Sequence, residues 1–241
     1  MTQANRRQAA GLFSFVVCGI FVLFNPAFGE AQKLEVGLEA GVPLTSYFDA
    51  GMTGFHDESD VYTSATRRYT LGPSIAFWLT DRVGIATGVL YHRLGYNEGE
   101  IFSNSENGEF GSTNLHVTGN SWDIPLTPEV RFGHKVRFYA GGGAVLRYVG
   151  PARATGEEIE GSLVSRTSTT TAISTAAPPQ LNPRSYWGIT GIAGVEFRAG
   201  FLHLAPEFRY TRWLNNLSAP QSTTPLQVTP NEAEILLRIS N

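Results

Sequence analysis

The segment from Trp122 to Phe132, WDIPLTPEVRF, alternates between apolar and polar side chains with a period of two residues. Its apolar positions are Trp122, Ile124, Leu126, Pro128, Val130 and Phe132, and its polar positions include Asp123, Thr127, Glu129 and Arg131. The pattern recurs in eight segments, and almost no helical pattern supplies a second layer to cover the apolar faces. Lipid is the simplest environment for such faces, since a closed barrel satisfies its own backbone hydrogen bonds. The alternation predicts an all-β fold, an eight-stranded antiparallel up-and-down transmembrane β-barrel.

Period two also predicts where the strands and their connections lie. The strands are expected at 33–44, 67–79, 83–96, 120–132, 136–149, 186–198, 202–213 and 231–240. Short turns at 80–82, 133–135 and 199–201 alternate with long polar loops at 45–66, 97–119, 150–185 and 214–230. Outer-membrane barrels have short periplasmic turns and long extracellular loops, so both ends of the barrel are predicted to lie in the periplasm.

Two features of these segments carry separate expectations. The third long loop, with Thr167–Thr171 and Ala176–Pro179, has little apolar content to pack and is expected to be mobile. Proline is awkward inside a strand because it removes a hydrogen-bond donor from the ladder. The prolines in question are Pro43, Pro73, Pro125, Pro128 and Pro206.

The first 31 residues predict a secretory signal peptide, followed by one barrel domain over 32–241. Arg6 and Arg7 precede an apolar run over 9–24, and cleavage fits after Gly29 or Ala31, of which we favour Ala31. A membrane anchor is the alternative, but this run is shorter than the 18 or so apolar residues that a spanning helix needs. Cys18 is the only cysteine and follows no small residue, so neither a disulfide nor a lipid anchor is predicted.

If the apolar faces point outward, charged side chains of both signs point into the lumen. The acids are Glu35, Glu39, Asp123, Glu129, Glu196, Glu207 and Glu234, and the bases are Arg131, Arg137, Arg147, Arg198, Arg209 and Arg238. An eight-stranded barrel is just wide enough for its side chains to fill the interior, so these charges are predicted to pair and block the lumen. A carboxylate pair in acid–base catalysis is the alternative, but neighbouring arginines hold carboxylates ionised. We therefore predict no catalytic, cofactor-binding or metal-binding residues, and no cofactor.

Aromatic and glycine positions add detail to the same picture. The aromatic residues fall near strand ends, as in the interfacial girdles of membrane barrels: Tyr69, Phe77, Trp78, Tyr91, Tyr96, Trp122, Phe132, Phe138, Tyr148, Tyr186, Trp187, Phe197, Phe208, Tyr210 and Trp213. Glycines at 141–143 and at Gly188, Gly191 and Gly194 precede no helix and no P-loop lysine. They predict close strand packing or room for a large facing side chain.

Three short stretches resemble a known family: Trp122–Leu126, Glu129–Gly133 and Tyr139–Gly143. On these residues the chain resembles the bacterial outer-membrane protein β-barrel domain family, a group similar to OmpA- and PorT-like barrels. The resemblance implies an eight-stranded barrel that the outer-membrane assembly machinery inserts, and it transfers no catalytic residue. The chain departs from the usual terminal aromatic residue, because it ends at Ile239–Asn241.

Four functions remain open at this stage. The first is a non-enzymatic outer-membrane barrel with a structural or surface-interaction role, whose partners are outer-membrane lipid, the barrel assembly machinery, periplasmic chaperones and an unknown extracellular ligand. The net charge of −3 and the absence of a basic stripe argue against nucleic acid. The alternatives are a narrow channel, a soluble ligand-binding barrel, and an outer-membrane enzyme acting on lipid or peptide. The only candidates for that enzyme are His56, Asp57, His92 and His116.

Overall fold

The computed structural model describes residues 33–55, 58–104, 106–176, 185–214 and 229–241. The predicted signal peptide lies outside these residues, as does most of the predicted fourth loop. The strands are β1 (Lys33–Pro43), β2 (Gly51–Phe55), β3 (Glu58–Ser64), β4 (Thr70–Trp78), β5 (Val83–Gly88), β6 (Leu90–Asn104), β7 (Glu109–Gly133), β8 (Val136–Val149), β9 (Arg153–Ser162), β10 (Thr167–Ala176), β11 (Ser185–Ala199), β12 (Leu202–Trp213) and β13 (Asn231–Ser240). No described residue belongs to a helix that is long and apolar enough to cross a membrane.

Eight antiparallel staves close into a barrel, as the alternation predicts. In ring order the staves are β1, β4, β5 continued by β6, β7, β8, β11, β12 and β13. β1 pairs with β13 from Gly37↔Ser240 to Pro43↔Glu234, which closes the ring. Because the closure leaves no free edge in the barrel wall, every stave there has a neighbour on both sides.

The three short turns lie at one end of the barrel together with both ends of the barrel sequence, and we call this the turn end. Gly133 and Gly200 adopt positive φ angles of 105° and 68° there, a conformation that favours glycine. In the first turn the Thr80 hydroxyl oxygen accepts hydrogen bonds from the backbone N–H groups of Arg82 and Val83, at 3.2 and 3.0 Å. The opposite end is called the loop end.

Three of the strand prolines lie opposite local gaps in the hydrogen-bonded ladder. Val89, which separates β5 from β6, donates its N–H to the Pro73 carbonyl at 3.1 Å, but Pro73 has no N–H to return. The β7–β8 pairing skips Thr127 and Pro128, and the β11–β12 pairing skips the positions opposite Pro206. The register on both sides of each gap is unchanged, so a proline in this wall costs a ladder bond without breaking the barrel.

Beyond the loop end, the β6–β7 hairpin continues and becomes the centre of a second, open sheet. β3 and then β2 pair along β6, while β9 and then β10 pair along β7, which gives the order β2-β3-β6-β7-β9-β10. We call this six-stranded part the upper sheet. Residues 167–176, expected to lie in a mobile loop, instead form β10 and pair with β9 over their whole length. That expectation was wrong because it rested on polar composition, whereas a strand ladder in water needs backbone partners rather than apolar side chains.

Two of the singled-out glycines make room for large facing aromatic rings, as predicted. A Cβ on Gly188 would lie 2.9 Å from the Trp213 ring, and one on Gly194 would overlap the Tyr139 ring. Gly191 has open space around it, so the packing of a ring does not explain the glycine at that position. Gly188 and Gly194 therefore serve the packing of the lumen.

Candidate functional site: a filled lumen below an open sheet

The middle of the lumen holds an ion-pair network centred on two arginines. Arg238 donates to Glu39, Glu129 and Glu207 at distances between 2.9 and 3.1 Å. Arg209 bridges Glu39 and Glu207 at 2.9 and 2.8 Å, and the Tyr139 hydroxyl donates to Glu207 at 3.1 Å. All six side chains are buried, so each charged group contacts an oppositely charged neighbour instead of water.

A second network lies toward the turn end. Arg131 forms a bidentate pair with Glu35 at 3.0 and 2.7 Å and contacts Glu196 at 2.8 Å. Its guanidinium also lies over the Trp78 ring, 3.3 Å from the centroid. His203 contacts the same Glu196 carboxylate at 2.7 Å.

A third network lies toward the loop end. Arg147 pairs with both oxygens of Asp123 at 2.6 Å and with Glu232 at 2.8 Å, and Trp213 donates its indole N–H to Glu232 at 2.9 Å. His92 Nε2 lies 3.1 Å from Asp123 Oδ2, one of the two oxygens that Arg147 contacts. Three stacked networks therefore occupy the lumen from one end to the other.

The predicted lumen set is correct for all seven acids and for four of the bases, with two differences. Arg198 is exposed at the turn end, where its Nε donates to the Gly200 carbonyl at 3.0 Å, so its placement in the lumen was wrong. Arg137 is one-third exposed and reaches Glu196 from the rim at 3.4 Å. The prediction also missed Glu232 and His203, although each shares the strand face of a predicted lumen residue, Glu234 and Glu207 respectively.

Above the charged networks, apolar side chains close the loop end of the lumen. The cluster consists of Tyr47, Phe48, Tyr62, Leu94, Tyr96, Val117, Val145, Val149, Ala152, Ala154, Tyr186 and Trp213. Tyr47 and Phe48 come from the segment after β1, and Phe48 is only 1% exposed. We call this cluster the apolar cap; among the described residues, only a small cavity of about 60 Å³ beside it reaches His92 and Glu232.

Of the four candidate enzyme residues, the two that the structure describes are not brought together. His92 is buried in the lumen, whereas His116 is exposed on the upper sheet, where its Nδ1 lies 2.7 Å from Asn97 Oδ1. His56 and Asp57 lie outside the described residues. No group of three or more His, Cys, Asp or Glu within the described part of the chain is arranged to hold a metal ion.

One of these histidines does lie between a hydroxyl and a carboxylate, an arrangement that sequence spacing could not show. Thr70 Oγ1 lies 3.2 Å from His92 Nδ1, and Asp123 is on the other ring nitrogen. However, the Thr70 hydroxyl donates to Glu234 at 2.6 Å, and Arg147 occupies both oxygens of Asp123. A nucleophile needs access to substrate, and this hydroxyl is buried beneath the apolar cap.

The outer surface of the barrel is apolar between two aromatic belts. Leu38, Leu126 and Ile189 are each more than half exposed in the middle of the wall. The loop-end belt contains Tyr69, Tyr91, Trp122, Tyr148, Trp187 and Tyr210, and the turn-end belt contains Phe77, Phe132, Phe138 and Phe197. Phe208 lies on the outer wall, but Trp78, Tyr96, Tyr186 and Trp213 point inward and are buried, so their place in a girdle was wrong.

The upper sheet differs from the wall in having free edges and a hollow. Its outward face forms a groove of about 670 Å³, which we call the upper groove, lined by hydroxyl, amide, imidazole and carboxylate side chains together with Val61, Ile101 and Leu115. The polar residues of that lining include Ser59, Thr63, Asn97, Ser112, Asn114, His116, Thr155 and Glu157. β2 and β10 are the outermost strands among the described residues.

An apolar wall between aromatic belts around a filled lumen defines the class of transmembrane β-barrels. Residues 30–219 match the family "Outer membrane protein beta-barrel domain", and the chain belongs to that family. The protein is accordingly an outer-membrane protein of bacteria. In this class short turns face the periplasm and long loops face the cell exterior.

Solved structures to which the chain is similar share little sequence with it. Ail, the attachment invasion locus protein of Yersinia pestis, is 13% identical, with 88% of this chain and 97% of Ail covered at a TM-score of 0.34. Neisserial surface protein A is 11% identical, with coverage of 88% and 97% and a TM-score of 0.36. The N-terminal β-barrel domain of Pseudomonas aeruginosa OprF is 12% identical, with coverage of 86% and 95% and a TM-score of 0.31. No curated protein matches the sequence.

Proposed function

We propose that this protein is a non-enzymatic, non-conducting outer-membrane barrel that holds the upper sheet at the cell surface for contact with external ligands or partners. One observation carries the proposal: the lumen is filled, while the wall strands β6 and β7 run on past the outer belt to form the centre of a larger sheet. A pore needs an open lumen and gains nothing from such an extension. A display scaffold needs a rigid base and a raised surface, which these two features supply.

The raised surface offers two kinds of contact. The upper groove presents hydroxyl and amide groups that donate and accept hydrogen bonds, as a polar extracellular ligand requires. The edge strand β10 presents backbone groups along Thr167–Ala176, a stretch without charge or proline, and such edges accept an added strand.

The proposal also includes partners that act before the protein reaches its site. Ile235, Leu237 and Ile239 on β13 face outward and are at least a third exposed, which preserves the alternation of a C-terminal barrel strand. We propose that the barrel assembly machinery inserts the chain, that periplasmic chaperones carry it there, and that outer-membrane lipid surrounds the wall. Photo-crosslinking from position 237 during export tests the first two.

Thiol labelling of intact cells tests the surface display. Ser165→Cys places a thiol at the tip of the β9–β10 hairpin, and Asp81→Cys places one in the first periplasmic turn. A membrane-impermeant maleimide is expected to label the first variant on intact cells and the second only after the outer membrane is permeabilised. Equal labelling of both on intact cells would contradict the proposed display.

Planar-bilayer recording tests the filled lumen. The purified barrel is expected to insert without stable conductance steps, because buried ion pairs and the apolar cap occupy the path. Reproducible conductance steps from the wild-type protein would contradict this proposal and favour a channel.

A further inference from the structure

On one side of the barrel, the outer aromatic belt is a continuous arc of four rings. The centroids of Tyr69 and Tyr91, of Tyr91 and Trp122, and of Trp122 and Tyr148 are each 6.1 Å apart. Just below the arc, the apolar side chains of Leu71 and Ile124 face lipid and are 51% and 42% exposed. Aromatic belts mark the level of lipid head groups, so the arc fixes where the outer leaflet meets water.

Three exposed arginines lie immediately above this arc on the same face. Arg67 precedes Tyr69 by two residues and Arg93 follows Tyr91 by two. The two segments are joined by a hydrogen bond from the Arg67 N–H to the Arg93 carbonyl at 3.1 Å. Both guanidinium groups interact electrostatically with the Tyr91 hydroxyl. Arg153 lies two strands further along, opposite Thr118 of β7.

These arginines differ from the arginines of the lumen in lacking acidic partners. Each of the four buried lumen arginines contacts at least one carboxylate within 3.0 Å. Within the described part of the chain, no salt bridge joins Arg67, Arg93 or Arg153 to an acid. Glu157 is the acid on the same face of β9, four residues beyond Arg153 and farther from the membrane. A positive site at head-group level is therefore left for an external anion.

The upper groove begins directly above the arginines. Asn97 and His116 lie four residues beyond Arg93 and Asn120 on the outward faces of β6 and β7, and the groove continues through Asn114 and Thr155. Hydroxyl, amide, imidazole and carboxylate groups, all present in this lining, suit the hydroxyls of a sugar. From the membrane outward, the surface is thus apolar, then aromatic, then cationic, then rich in hydrogen-bonding side chains, with Glu157 toward its far end.

We propose that this face binds a phosphorylated glycolipid of the outer leaflet, with its acyl chains along Leu71 and Ile124, its phosphate at Arg67 and Arg93, and its sugar in the upper groove. The order of the four zones matches the order of the groups in such a lipid. Arginine suits the phosphate because its planar guanidinium donates two parallel hydrogen bonds to phosphate oxygens. The site lies on the outer wall and does not depend on the function proposed for the upper sheet.

Lipid retention in nanodiscs tests the proposal. The full-length processed protein is placed in phosphatidylcholine nanodiscs, and bound glycolipid is measured by native mass spectrometry with added lipid A in bisphosphorylated or fully dephosphorylated form. We expect the bisphosphorylated form to be retained at least about tenfold more strongly, since each arginine near an anionic head group contributes several-fold. The double variant Arg67→Gln/Arg93→Gln is expected to lose that preference.

Arg212→Gln is the matched control. Arg212 is also exposed and also lies two residues beyond a belt tyrosine, Tyr210, but on β12 and away from the arc. It is expected to keep the wild-type preference. Equal retention of the two lipids by the wild type, or an unchanged preference in the double variant, would overturn the proposal. Loss of the preference on adding millimolar inorganic phosphate would assign the site to free phosphate instead. The comparison of the two lipids on the wild-type protein remains informative even if a variant fails to fold.

Discussion

The lumen and the upper sheet are built partly from the same strand and obey different rules. In its lower half β7 sends Asp123, Glu129 and Arg131 inward, where all three are buried and ion-paired. In its upper half, from Glu109 to Asn120, the strand carries His116 and only one charged residue, Glu109 at its first position. The boundary between the two halves coincides with the aromatic arc at Trp122.

The contrast shows where charge is useful in a barrel. Inside the wall, polar side chains fill the lumen without water, so each charge needs a partner and the partners hold opposite staves together. In the upper sheet, water reaches both faces of much of the ladder, so charged side chains such as those of Glu157 and Glu160 are exposed and need no buried partner. Stability is thus expected to depend strongly on single residues in the lumen and weakly on residues of the upper sheet.

Replacing Arg238 by Met should be the most damaging single change. It leaves Glu39, Glu129 and Glu207 close together and buried with only Arg209 to compensate them. Removing one partner of a buried ion pair costs about 3–5 kcal/mol. Urea unfolding in detergent, followed by the mobility difference between unboiled and boiled protein, measures the loss.

Arg198→Met is the matched control for that variant. It removes the same charge from a residue that is exposed at the turn end, so the expected change is within about 0.5 kcal/mol. Equal losses from the two variants would show that the lumen pairs do not bear the stability assigned to them.

Phe48→Ala tests the apolar cap, the junction between the two regions. The side chain is 1% exposed and packs against Tyr47 and Tyr96 with ring centroids 4.5 and 5.2 Å apart. Deleting a buried phenylalanine costs about 3 kcal/mol. Met52→Ala, at a side chain that is 76% exposed on β2, is the control and should change the unfolding midpoint little.

Shortening the β9–β10 hairpin should affect the barrel less than either substitution. Residues 157–172 are replaced by Asn-Gly, which joins the paired residues Gly156 and Ile173 through a two-residue turn. None of the deleted residues is buried, so the expected loss is below about 1 kcal/mol. If the unboiled protein lost its compact, fast-migrating form, the barrel would need the upper sheet and the two regions would form one cooperative unit.

The sequence predicted the barrel well because the wall separates two unlike environments. Lipid on one side and a packed lumen on the other impose alternation, as in Trp122–Phe132, and short turns such as 133–135 break it sharply. The strands of the upper sheet carry no comparable pattern, because both faces of a segment such as Thr167–Ala176 tolerate small polar residues. The period-two alternation therefore ends at the membrane surface, although the strands continue beyond it.

The sequence predicted which kinds of side chain fill the lumen, but it did not predict which acid pairs with which arginine. Parity along a strand identifies inward charges, and it would also have found Glu232 and His203. It failed at Arg198, where a long side chain at a strand end reaches a turn carbonyl instead of the lumen. Which acid contacts which arginine depends on the stagger between strands that are far apart in sequence, as for Glu39 and Arg238. The alignment of Arg67, Arg93 and Arg153 above the belt depends on the same stagger.

Glu98→Gln should have the smallest effect and should separate the two regions by pH. Glu98 lies in the upper sheet, accepts a hydrogen bond from the Tyr62 hydroxyl at 2.8 Å, and has a pKa raised above its ordinary value of 4.5 by burial and by the nearby Asp60. A carboxyl group with a raised pKa in the folded state stabilises the fold fully below its unfolded pKa, and that contribution is lost as the pH rises through the folded pKa. The upper sheet should therefore weaken between pH 4.5 and the higher folded value, and the variant should lack this step.

Hydrogen exchange of the amides of β3 and β6 at pH 4.5 and pH 7.5, corrected for intrinsic exchange, is the suitable measurement because it reports local opening. Wild-type protection in the upper sheet should fall at the higher pH, whereas Glu98→Gln should keep similar protection at both, since the amide oxygen still accepts from Tyr62. Glu157→Gln, at an exposed position on β9, should behave like the wild type. If protection in the lumen staves fell together with that of β3 and β6, the two regions would open as one, and the division drawn from β7 would be wrong.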